Sequence, residues 1–358
     1  MLFDPRPKMD RKELFDREEE IESLKKLTDK PLVLLLGIRR IGKSSILRVA
    51  LNELGNGIYI DARKLYFDSG GWITNDVLIR IFEKSLNSLK GEFKEKIIDA
   101  LKYIKGVKLF GVDIRFKREV LLSEVLEALD EVGVVIGIDE AQYLRFYGSK
   151  GGKEFLALLA YSYDNLRNVH FILTGSEVGL LHDFIGIDNY ESPLYGRVCE
   201  ELTIVPFSRE LSKEFLRRGF EEVGIQISED DIEKAVEILD GIPGWLVDFG
   251  NEYIKIKSLE KALEGVMKRA EEFLKGELKE LEKRSPRYVL ILKAIARGYD
   301  RWELIKDYLE RKSKRVPNSR LAELLRNLEK MSWITPELKD GRKRYKIIDP
   351  VVERVLRK

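Results

Sequence analysis

The sequence contains little cysteine or histidine and no long hydrophobic run. One cysteine among 358 residues excludes a disulfide framework, and two histidines argue against a dedicated zinc site. No uncharged stretch exceeds nine residues, which is too short for a transmembrane helix, so no membrane partner is expected. The opening residues MLFDPRPKMDRK lack the apolar core of a secretory signal. These absences predict a cytoplasmic globular protein.

Charged residues, by contrast, are abundant, but their signs nearly cancel. The chain has 64 Lys and Arg against 62 Asp and Glu, a net charge of +2. Residues 285–358 carry 20 basic and 10 acidic residues, a net of +10, whereas residues 1–284 carry 44 and 52, a net of −8. The near-neutral total therefore conceals a basic C-terminal segment behind an acidic body.

Short apolar runs alternate with helical patterns in the first two hundred residues. This alternation predicts an α/β doubly wound parallel sheet, whose strands are buried on both faces. An FDREEEI segment near the start predicts a helix over 15–27 with Asp16 as its N-cap. Residues 107–116 alternate around a glycine and predict an inserted hairpin. The predicted strands are 32–36, 58–60, 134–138, 169–173 and 202–205, and the predicted helices include 44–54, 121–131 and 155–166.

The pattern changes after Pro206. Residues 208–284 show only helical periodicity, with predicted breaks at Gly224, at 241–244 and at Gly276. Residues 285–358 show helical stretches at 287–296, 301–309 and 319–331, followed by two extended runs around Asp340 and Gly341, a hairpin signal. Three helices and a hairpin predict a winged helix-turn-helix. The predicted domains are therefore an α/β core at 1–206, a helical lid at 207–284 and a winged helix at 285–358.

Residues 37–44, GIRRIGKS, match the phosphate-binding pattern G-x-x-x-x-G-K-[ST] between a predicted strand and a predicted helix. Such a loop wraps its backbone N–H groups around phosphate oxygens at the positive end of the helix. Lys43 is expected to reach the β- and γ-phosphates, and Ser44 to bind Mg²⁺. Arg39 and Arg40 either contact phosphate or face solvent. The candidate phosphate-binding residues are Gly37, Ile38, Arg39, Arg40, Ile41, Gly42, Lys43, Ser44 and Ser45.

A second acidic motif, VVIGIDE, ends a predicted buried strand about a hundred residues downstream. Asp139 is expected to hold Mg²⁺, and Glu140 to orient or deprotonate the attacking water. A glutamate in this position is typical of NTPases that hydrolyse their nucleotide. Because the chain has no clear N-K-x-D guanine-reading motif, we expect ATP.

The next predicted strand ends in Thr174, Gly175 and Ser176 at the same edge of the sheet. A hydroxyl there either senses the γ-phosphate or the water, or caps the following turn. Thr174 is the first candidate for the sensing role and Ser176 the second.

Together these motifs resemble the AAA+ superfamily, and more closely the archaeal ATPase family allied to the STAND NTPases. The resemblance covers nearly the whole chain and implies a five-stranded core, a helical lid and a winged helix, with ATP or ADP and Mg²⁺ as cofactors. Its motifs are FDREEEI at 15–21, GIRRIGKSS at 37–45, VVIGIDEAQ at 134–142, FILTGSEVGLL at 171–181, SPLYGR at 192–197, PFSRE at 206–210 and GIPGWL at 241–246.

The resemblance also implies roles for residues outside the phosphate-binding loop. Phe15, Asp16 and Arg17 are expected beside the adenine, and Pro243 belongs to a G-x-P turn by which the lid meets the nucleotide, or is simply a turn between helices. Arg197 is either an arginine finger acting in trans within a homo-oligomer or the partner of a local carboxylate. The chain departs from the superfamily in having no convincing sensor-2 arginine in its lid.

The basic C-terminal segment predicts a duplex DNA partner. Basic runs at 311–315 and 342–344 fall just before the third helix and on the wing, where winged helices meet phosphates. Arg320 and Arg326 lie on that helix. The sequence thus predicts an ATPase that couples its nucleotide state to DNA binding. The alternative is a nucleotide-gated signalling or scaffold switch whose winged helix contacts proteins.

Overall fold

The structure, a computed structural model, describes residues 1–313 and 315–357. Lys314, part of the basic run predicted before the third winged-helix helix, lies outside the described residues, as does Lys358. The first part of the chain alternates between helices and strands. Its elements are α1 (Glu18–Lys26), β1 (Leu32–Leu36), α2 (Lys43–Leu54), β2 (Gly57–Asp61), α3 (Ala62–Asp68), α4 (Asn75–Ser88), α5 (Gly91–Leu101), β3 (Val107–Phe110), β4 (Asp113–Phe116), α6 (Leu122–Val132), β5 (Val134–Asp139), α7 (Lys153–Asn165), β6 (Val169–Gly175), α8 (Val178–Ile185) and β7 (Glu200–Thr203), with short 3-10 turns at Arg11–Glu13, Leu27–Asp29 and Ala141–Phe146.

Five parallel strands form the central sheet, in the order β2-β5-β6-β1-β7. β1 and β5 are buried along their whole length because helices cover both faces, which explains their continuous apolar sequences. The α/β prediction is confirmed, and β3 and β4 form the predicted hairpin. The edge strand β7 begins two residues before the predicted 202–205, because its residues alternate between half-buried and exposed and give a weaker apolar signal.

The first helix begins later than predicted, and Asp16 does not cap it. Asp16 and Arg17 both adopt left-handed backbone conformations, with φ of 56° and 80°, and Arg17 occupies the cap position without a side-chain hydrogen bond to the helix. The buried guanidinium of Arg17 donates to the carbonyl of Val205 and to Glu20, and it lies 4.5 Å from the ring centroid of Phe207. These tertiary contacts fix the local backbone, so the capping pattern in the sequence is not used.

The helical lid follows, and its first two predicted breaks are confirmed. The predicted break at Gly276 is wrong. The helix runs through it because Leu274 and Leu281, on either side, are buried in the core of the following domain. That packing outweighs the roughly 1 kcal/mol that glycine costs in a helix interior. The lid helices are α9 (Arg209–Glu222), α10 (Glu229–Leu239), α11 (Pro243–Ile256) and α12 (Leu259–Arg284).

A winged helix-turn-helix completes the described chain, as predicted. Asp340 and Gly341 have φ of 53° and 70°, the left-handed pair that a tight two-residue hairpin turn requires. The last helix was not predicted. It buries Val351 in the lid core and Val352 in the winged-helix core, which joins the two. The elements are α13 (Pro286–Ala296), α14 (Trp302–Lys312), α15 (Asn318–Lys330), β8 (Ile334–Lys339), β9 (Arg342–Ile347) and α16 (Pro350–Arg357).

Among the described residues, no helix combines the length and the apolarity needed to cross a bilayer.

Candidate active site

The loop between β1 and α2 forms the cradle predicted from residues 37–44. Gly37, Arg40 and Gly42 have φ of 149°, 64° and 102°, so the backbone turns through left-handed conformations before α2 begins. A Cβ atom on Gly37 would lie 2.8 Å from the carbonyl oxygen of Ile204, which excludes any other residue there. Backbone turns of this kind at a helix N-terminus present N–H groups to an anion.

Lys43 is the first residue of α2 and is buried. Its ammonium donates to the carbonyl oxygens of Gly37 at 2.7 Å and Ile38 at 2.8 Å. Burial lowers the pKa of Lys43 to about 8, against the opposing effect of the Glu140 and Asp139 carboxylates. The ammonium therefore bridges two backbone carbonyls of the phosphate-binding loop. To bind a phosphate, it would exchange these carbonyl oxygens for phosphate oxygens.

Two hydroxyl groups from neighbouring strands hold the carboxylate of Asp139. Tyr59 on β2 donates to Oδ2 at 2.8 Å, and Thr174 on β6 donates to Oδ1 at 2.5 Å. Both strands flank β5, so their side chains meet at its carboxyl end. The Thr174 oxygen also accepts from the backbone N–H of Glu140 at 3.0 Å. Thr174 thus contacts both acidic residues, Asp139 through its carboxylate and Glu140 through its backbone N–H.

The two oxygens of Glu140 have different partners. Oε2 accepts from the Ser176 hydroxyl at 2.7 Å and from the Gln142 amide at 2.5 Å, whereas Oε1 lies 2.8 Å from Nη2 of Arg63. Burial raises the pKa of Glu140, but the Arg63 and Lys43 cations and the two hydrogen bonds outweigh it and leave the pKa below its usual value. Glu140 is therefore ionised at neutral pH, as a residue that activates water must be.

A cavity of about 600 Å³ opens over the phosphate-binding loop, within the size range of ligand pockets. Lys43, Glu140 and Ser176 line it together with the lid. Of the three residues expected beside the adenine, Phe15 and Arg17 line the cavity and Asp16 is not among its lining residues.

Six of the first eight residues form another wall of this cavity, which the sequence did not predict. Phe3 is fully buried in the lid, with its ring against Gly219 and Gly250. The backbone N–H of Lys8 donates to the hydroxyl of Ser45 at 3.1 Å. This segment therefore ties the lid to the start of α2.

Arg39, within the phosphate-binding loop, binds two acidic residues from other parts of the fold. Its guanidinium donates to Glu177 after β6 at 2.8 Å and to Glu277 on α12 at 2.7 Å. It also lies 5.7 Å from the ring centroid of Trp333 in the winged helix. Arg39 thus joins the core, the lid and the winged helix.

Arg40 connects the same loop to the lid. Its guanidinium donates to Asp248 at 3.1 Å and lies 3.8 Å from the ring centroid of Trp245. Its carbonyl accepts from the N–H of Gly244 at 3.1 Å, next to Pro243, which opens α11 and lines the cavity. That the G-x-P turn meets the nucleotide, rather than simply joining two helices, stays a prediction.

Arg197 lies away from the cavity. It forms a two-pronged ion pair with Asp164 on α7, with distances of 3.0 Å and 2.5 Å, and donates to the carbonyl of Pro193 at 2.6 Å. This is the local partner that the sequence left as one of two alternatives. A role on a neighbouring subunit's nucleotide stays a prediction.

Sequence reasoning missed Tyr59 and Arg63, both of which contact the acidic motif. The strand register pairs Asp61, the last residue of β2, with Asp139. The first turn of α3 must therefore lie beside Glu140. The signal was available, since polar residues that follow neighbouring parallel strands meet at one edge of the sheet.

The donor groups fit a nucleotide-bound magnesium ion. Mg²⁺ in nucleotide sites is usually held by one or two carboxylates or hydroxyls together with phosphate oxygens. Asp139 at the end of β5 and Ser44 in the first turn of α2 supply this set. In residues 1–313 and 315–357 no group of three or more His, Cys, Asp and Glu could hold a metal by itself.

Comparisons with known proteins agree with this geometry. Residues 14–249 match the family described as an ATPase domain predominantly from Archaea, and residues 282–348 match the C-terminal winged helix-turn-helix domain of MCM proteins. Comparison with curated proteins finds no match.

Among solved structures, the chain is similar to the Walker-type ATPase Paby2304 of Pyrococcus abyssi, with 50% identity over 100% of both chains and a TM-score of 0.88. The Orc1 protein of Aeropyrum pernix, solved with DNA, has 17% identity over 96% of this chain and 92% of its own, with a TM-score of 0.45. Cdc6p of Pyrobaculum aerophilum has 14% identity over 99% and 96%, with a TM-score of 0.47. The last two are too distant to support an argument. By the match over residues 14–249 and by its full-length similarity to Paby2304, the chain belongs to the family of ATPase domains found predominantly in Archaea, and it carries a C-terminal winged helix.

Proposed function

We propose that this protein is a Mg²⁺-dependent ATP hydrolase whose nucleotide state controls how its winged helix engages duplex DNA. The observation that carries the proposal is that Lys43 and ionised Glu140 line one cavity, with the held carboxylate of Asp139 immediately before Glu140 at the end of β5. The full-length similarity to a Walker-type ATPase supports ATP as the nucleotide.

Each group has a distinct task in this proposal. Lys43 releases its carbonyl partners and binds the β- and γ-phosphates, and Ser44 and Asp139 hold the metal, which when bound neutralises phosphate charge. Glu140 orients the attacking water and accepts its proton. Thr174 keeps the two acidic residues in register, since its hydroxyl contacts both. Ser176 holds Glu140 through the oxygen that faces away from Arg63.

Contacts between the loop and the other domains support coupling. The N–H of Gly244 donates to the carbonyl of Arg40, and the Trp245 indole next to it donates to Asp349 before α16 at 2.8 Å. Arg39 meets Trp333 in the winged helix. A change of the loop on nucleotide binding or hydrolysis therefore acts on the winged helix through two routes, one via the lid and one direct.

The charge of the winged helix supports DNA as its partner. Exposed basic residues on or next to the third helix and the wing include Arg311, Lys312, Arg315, Arg326 and Arg342. Others are engaged within the protein. Arg344 contacts Asp300 at 3.2 Å, and Lys343 lies 3.8 Å from Glu329. The exposed set is the one we expect to meet phosphates.

Hydrolysis is tested with Glu140→Gln. We expect the variant to bind ATP with Mg²⁺ at about the wild-type affinity but to lose turnover by a factor of about 100 or more, since a general base contributes 10²–10⁴-fold. Glu131→Gln, on the exposed end of α6, is the matched control and should hydrolyse normally. Equal turnover in Glu140→Gln and wild type would refute the assignment.

DNA binding is tested by fluorescence anisotropy with a labelled duplex in ADP and in a non-hydrolysable ATP analogue. Arg326→Ala with Arg342→Ala should weaken binding and reduce its salt dependence between about 50 and 200 mM. Arg354→Ala, at an exposed position on α16, is the control. Binding that ignores salt, or is absent with both nucleotides, would contradict the proposal.

A second candidate is a nucleotide-gated switch whose winged helix contacts proteins. One observation favours it: the end of α15 is docked on the core, where Lys330 contacts Asp183 at 2.7 Å and Ser332 accepts from the N–H of Val178 at 3.2 Å. This version predicts ADP retained through purification and an oligomeric state that changes with ATP. Gel filtration with each nucleotide, with and without duplex DNA, separates the two and also tests Arg197 as a trans-acting finger.

A further inference from the structure

We propose that Arg63 is a catalytic residue supplied in cis, which pairs with Glu140 before ATP binds and then transfers to the γ-phosphate, where it stabilises the charge of the transferring phosphoryl group. The proposal rests on the hydrolytic function proposed above. A cation from the same chain would thereby perform the task that the family resemblance offered as one of two roles for Arg197.

The position of Arg63 follows from the fold. β2 ends at Asp61, whose side chain accepts from the N–H of Lys64 and starts α3, so Arg63 lies in the first helical turn. β2 pairs with β5 in parallel, with Asp61 opposite Asp139. The first turn of α3 is thereby held beside Glu140, and Nη2 of Arg63 lies 2.8 Å from Glu140 Oε1.

Arg63 is not sequestered in this pair. Its side chain is 48% exposed, whereas that of Glu140 is 11% exposed, and both residues line the nucleotide cavity with Lys43 and Tyr143. The guanidinium also lies 5.9 Å from the ring centroid of Tyr143, an aromatic neighbour on the cavity wall. Arg63 thus presents a partly exposed cation to the space that the phosphates would enter.

The two carboxylate oxygens of Glu140 have different partners, so Arg63 can leave one of them without disturbing the other. Oε2 is fixed by Ser176 and Gln142, both from the core, so Glu140 keeps its place when Arg63 leaves. Oε1 has Arg63 as its ion-pair partner, and releasing it exposes an acceptor towards the cavity. Arginine pairs bidentately with phosphate as it does with carboxylate, and the γ-phosphate carries more negative charge than one carboxylate.

Hydrolysis exchanges one oxygen bonded to the γ-phosphorus for another. The water oxygen bonds to the γ-phosphorus, and the bond to the β–γ bridging oxygen breaks with its electron pair remaining on ADP. The proton lost by the water passes to Oε1 of Glu140 and then to solvent. Arg63 contacts the equatorial phosphoryl oxygens, where the charge of the transition state accumulates.

Arg197 does not supply this cation within the same chain. It lies outside the lining of the cavity and is committed to Asp164 by two hydrogen bonds. With Arg63 in cis, hydrolysis needs no second subunit. Turnover per chain should therefore stay constant as the protein is diluted.

The test compares Arg63→Ala, Arg63→Lys and the control Arg80→Ala, an exposed arginine on α4. In Arg63→Ala we expect the Kd for an ATP analogue to rise about tenfold while the Kd for ADP is unchanged, since only ATP carries the γ-phosphate. Turnover should fall about 10³-fold, the lower end of measured arginine-finger effects, and Arg63→Lys should recover part of it. Unchanged ADP affinity also shows that the variants are folded.

A pH profile separates this role from that of a counter-ion. If Arg63 only lowered the pKa of Glu140, its removal would shift the acidic limb of the rate profile upwards, and higher pH would restore turnover. We expect no recovery at any pH. Recovery, faster turnover in Arg63→Ala, or equal weakening of ADP and ATP binding would overturn the proposal. If wild type did not hydrolyse ATP, the hydrolytic function would fail, and the ATP-versus-ADP affinity difference would still decide whether Arg63 binds the γ-phosphate.

Discussion

The ammonium of Lys43 donates to the carbonyl oxygen of Gly37 at 2.7 Å, across the mouth of the phosphate-binding loop. A phosphate must therefore compete with the loop's own backbone for this lysine. The competition depends on pH, because burial brings the pKa of Lys43 to about 8, close to neutral pH.

The first prediction concerns the pH dependence of ATP affinity. The phosphates stabilise the charged form of Lys43, so its pKa rises when ATP binds, and binding takes up a proton wherever the free lysine is neutral. Affinity should be nearly constant below the free pKa of about 8 and fall by up to tenfold for each pH unit above it. Fluorescent ATP titrations should show this, and Lys43→Arg, which stays charged, should give a flat profile. A flat wild-type profile would contradict it.

The second prediction concerns Thr174, whose hydroxyl donates to Asp139 and accepts from the N–H of Glu140. Thr174→Val keeps the shape but leaves a buried donor and a buried acceptor unsatisfied, which costs about 1–3 kcal/mol each. We expect lower thermal stability and at least tenfold weaker Mg²⁺ activation of hydrolysis, both recovered by Thr174→Ser. Thr203→Val, on the exposed edge strand, should change neither. A Thr174→Val enzyme with normal Mg²⁺ activation would show that this hydroxyl only caps the turn.

The sequence predicts best the elements whose signal is local. The strands β1 and β5 are continuous apolar runs. The pattern of the phosphate-binding loop specifies the backbone of the loop together with the strand before it and the helix after it. Asp340 and Gly341 likewise specify their turn because few other residues adopt its left-handed conformations. In each case neighbouring residues alone determine the backbone.

The elements that were missed depend on contacts between distant parts of the chain. Asp16 has the right spacing for a cap, but the burial of Arg17 against Phe207 decides the backbone there. Gly276 has the appearance of a break, yet packing on either side keeps α12 continuous. Arg63 becomes a candidate only when the strand register places it beside Glu140. The division of the chain at 206 and 284 stays a prediction.

The third prediction concerns Gly250, which lies inside α11 against the ring of Phe3. A Cβ there would approach three ring atoms of Phe3 to 2.6 Å, so Gly250→Ala must displace the ring. We expect a loss of about 1–3 kcal/mol from overpacking, despite the better helix propensity of alanine. In a Phe3→Leu background the clash is relieved, and the same change should cost much less.

The control for this prediction is Gly276→Ala in α12. No atom lies within 4 Å of the Cβ it would add, so propensity alone acts and stability should rise by about 1 kcal/mol. Urea unfolding of the wild type, Gly250→Ala, Phe3→Leu and the variant with both changes completes a double-mutant cycle. Equal costs of Gly250→Ala with and without Phe3 would show that the N-terminal segment does not press on the lid.

The last prediction concerns Arg39, which bridges Glu177 and Glu277 and faces Trp333. If the loop communicates with the winged helix through this side chain, Arg39→Ala should raise backbone hydrogen exchange around 176–180 and 331–334. ADP affinity should change by no more than about fivefold, since the ion pairs of Arg39 with its two carboxylate partners contribute about 1 kcal/mol or less. Glu277→Gln should reproduce the effect, whereas Glu280→Gln, which removes an exposed partner of Lys283 on the same helix, should not. Unchanged exchange combined with a large loss of ADP affinity would instead make Arg39 a phosphate ligand, and the coupling would then have to run through Arg40 and the lid.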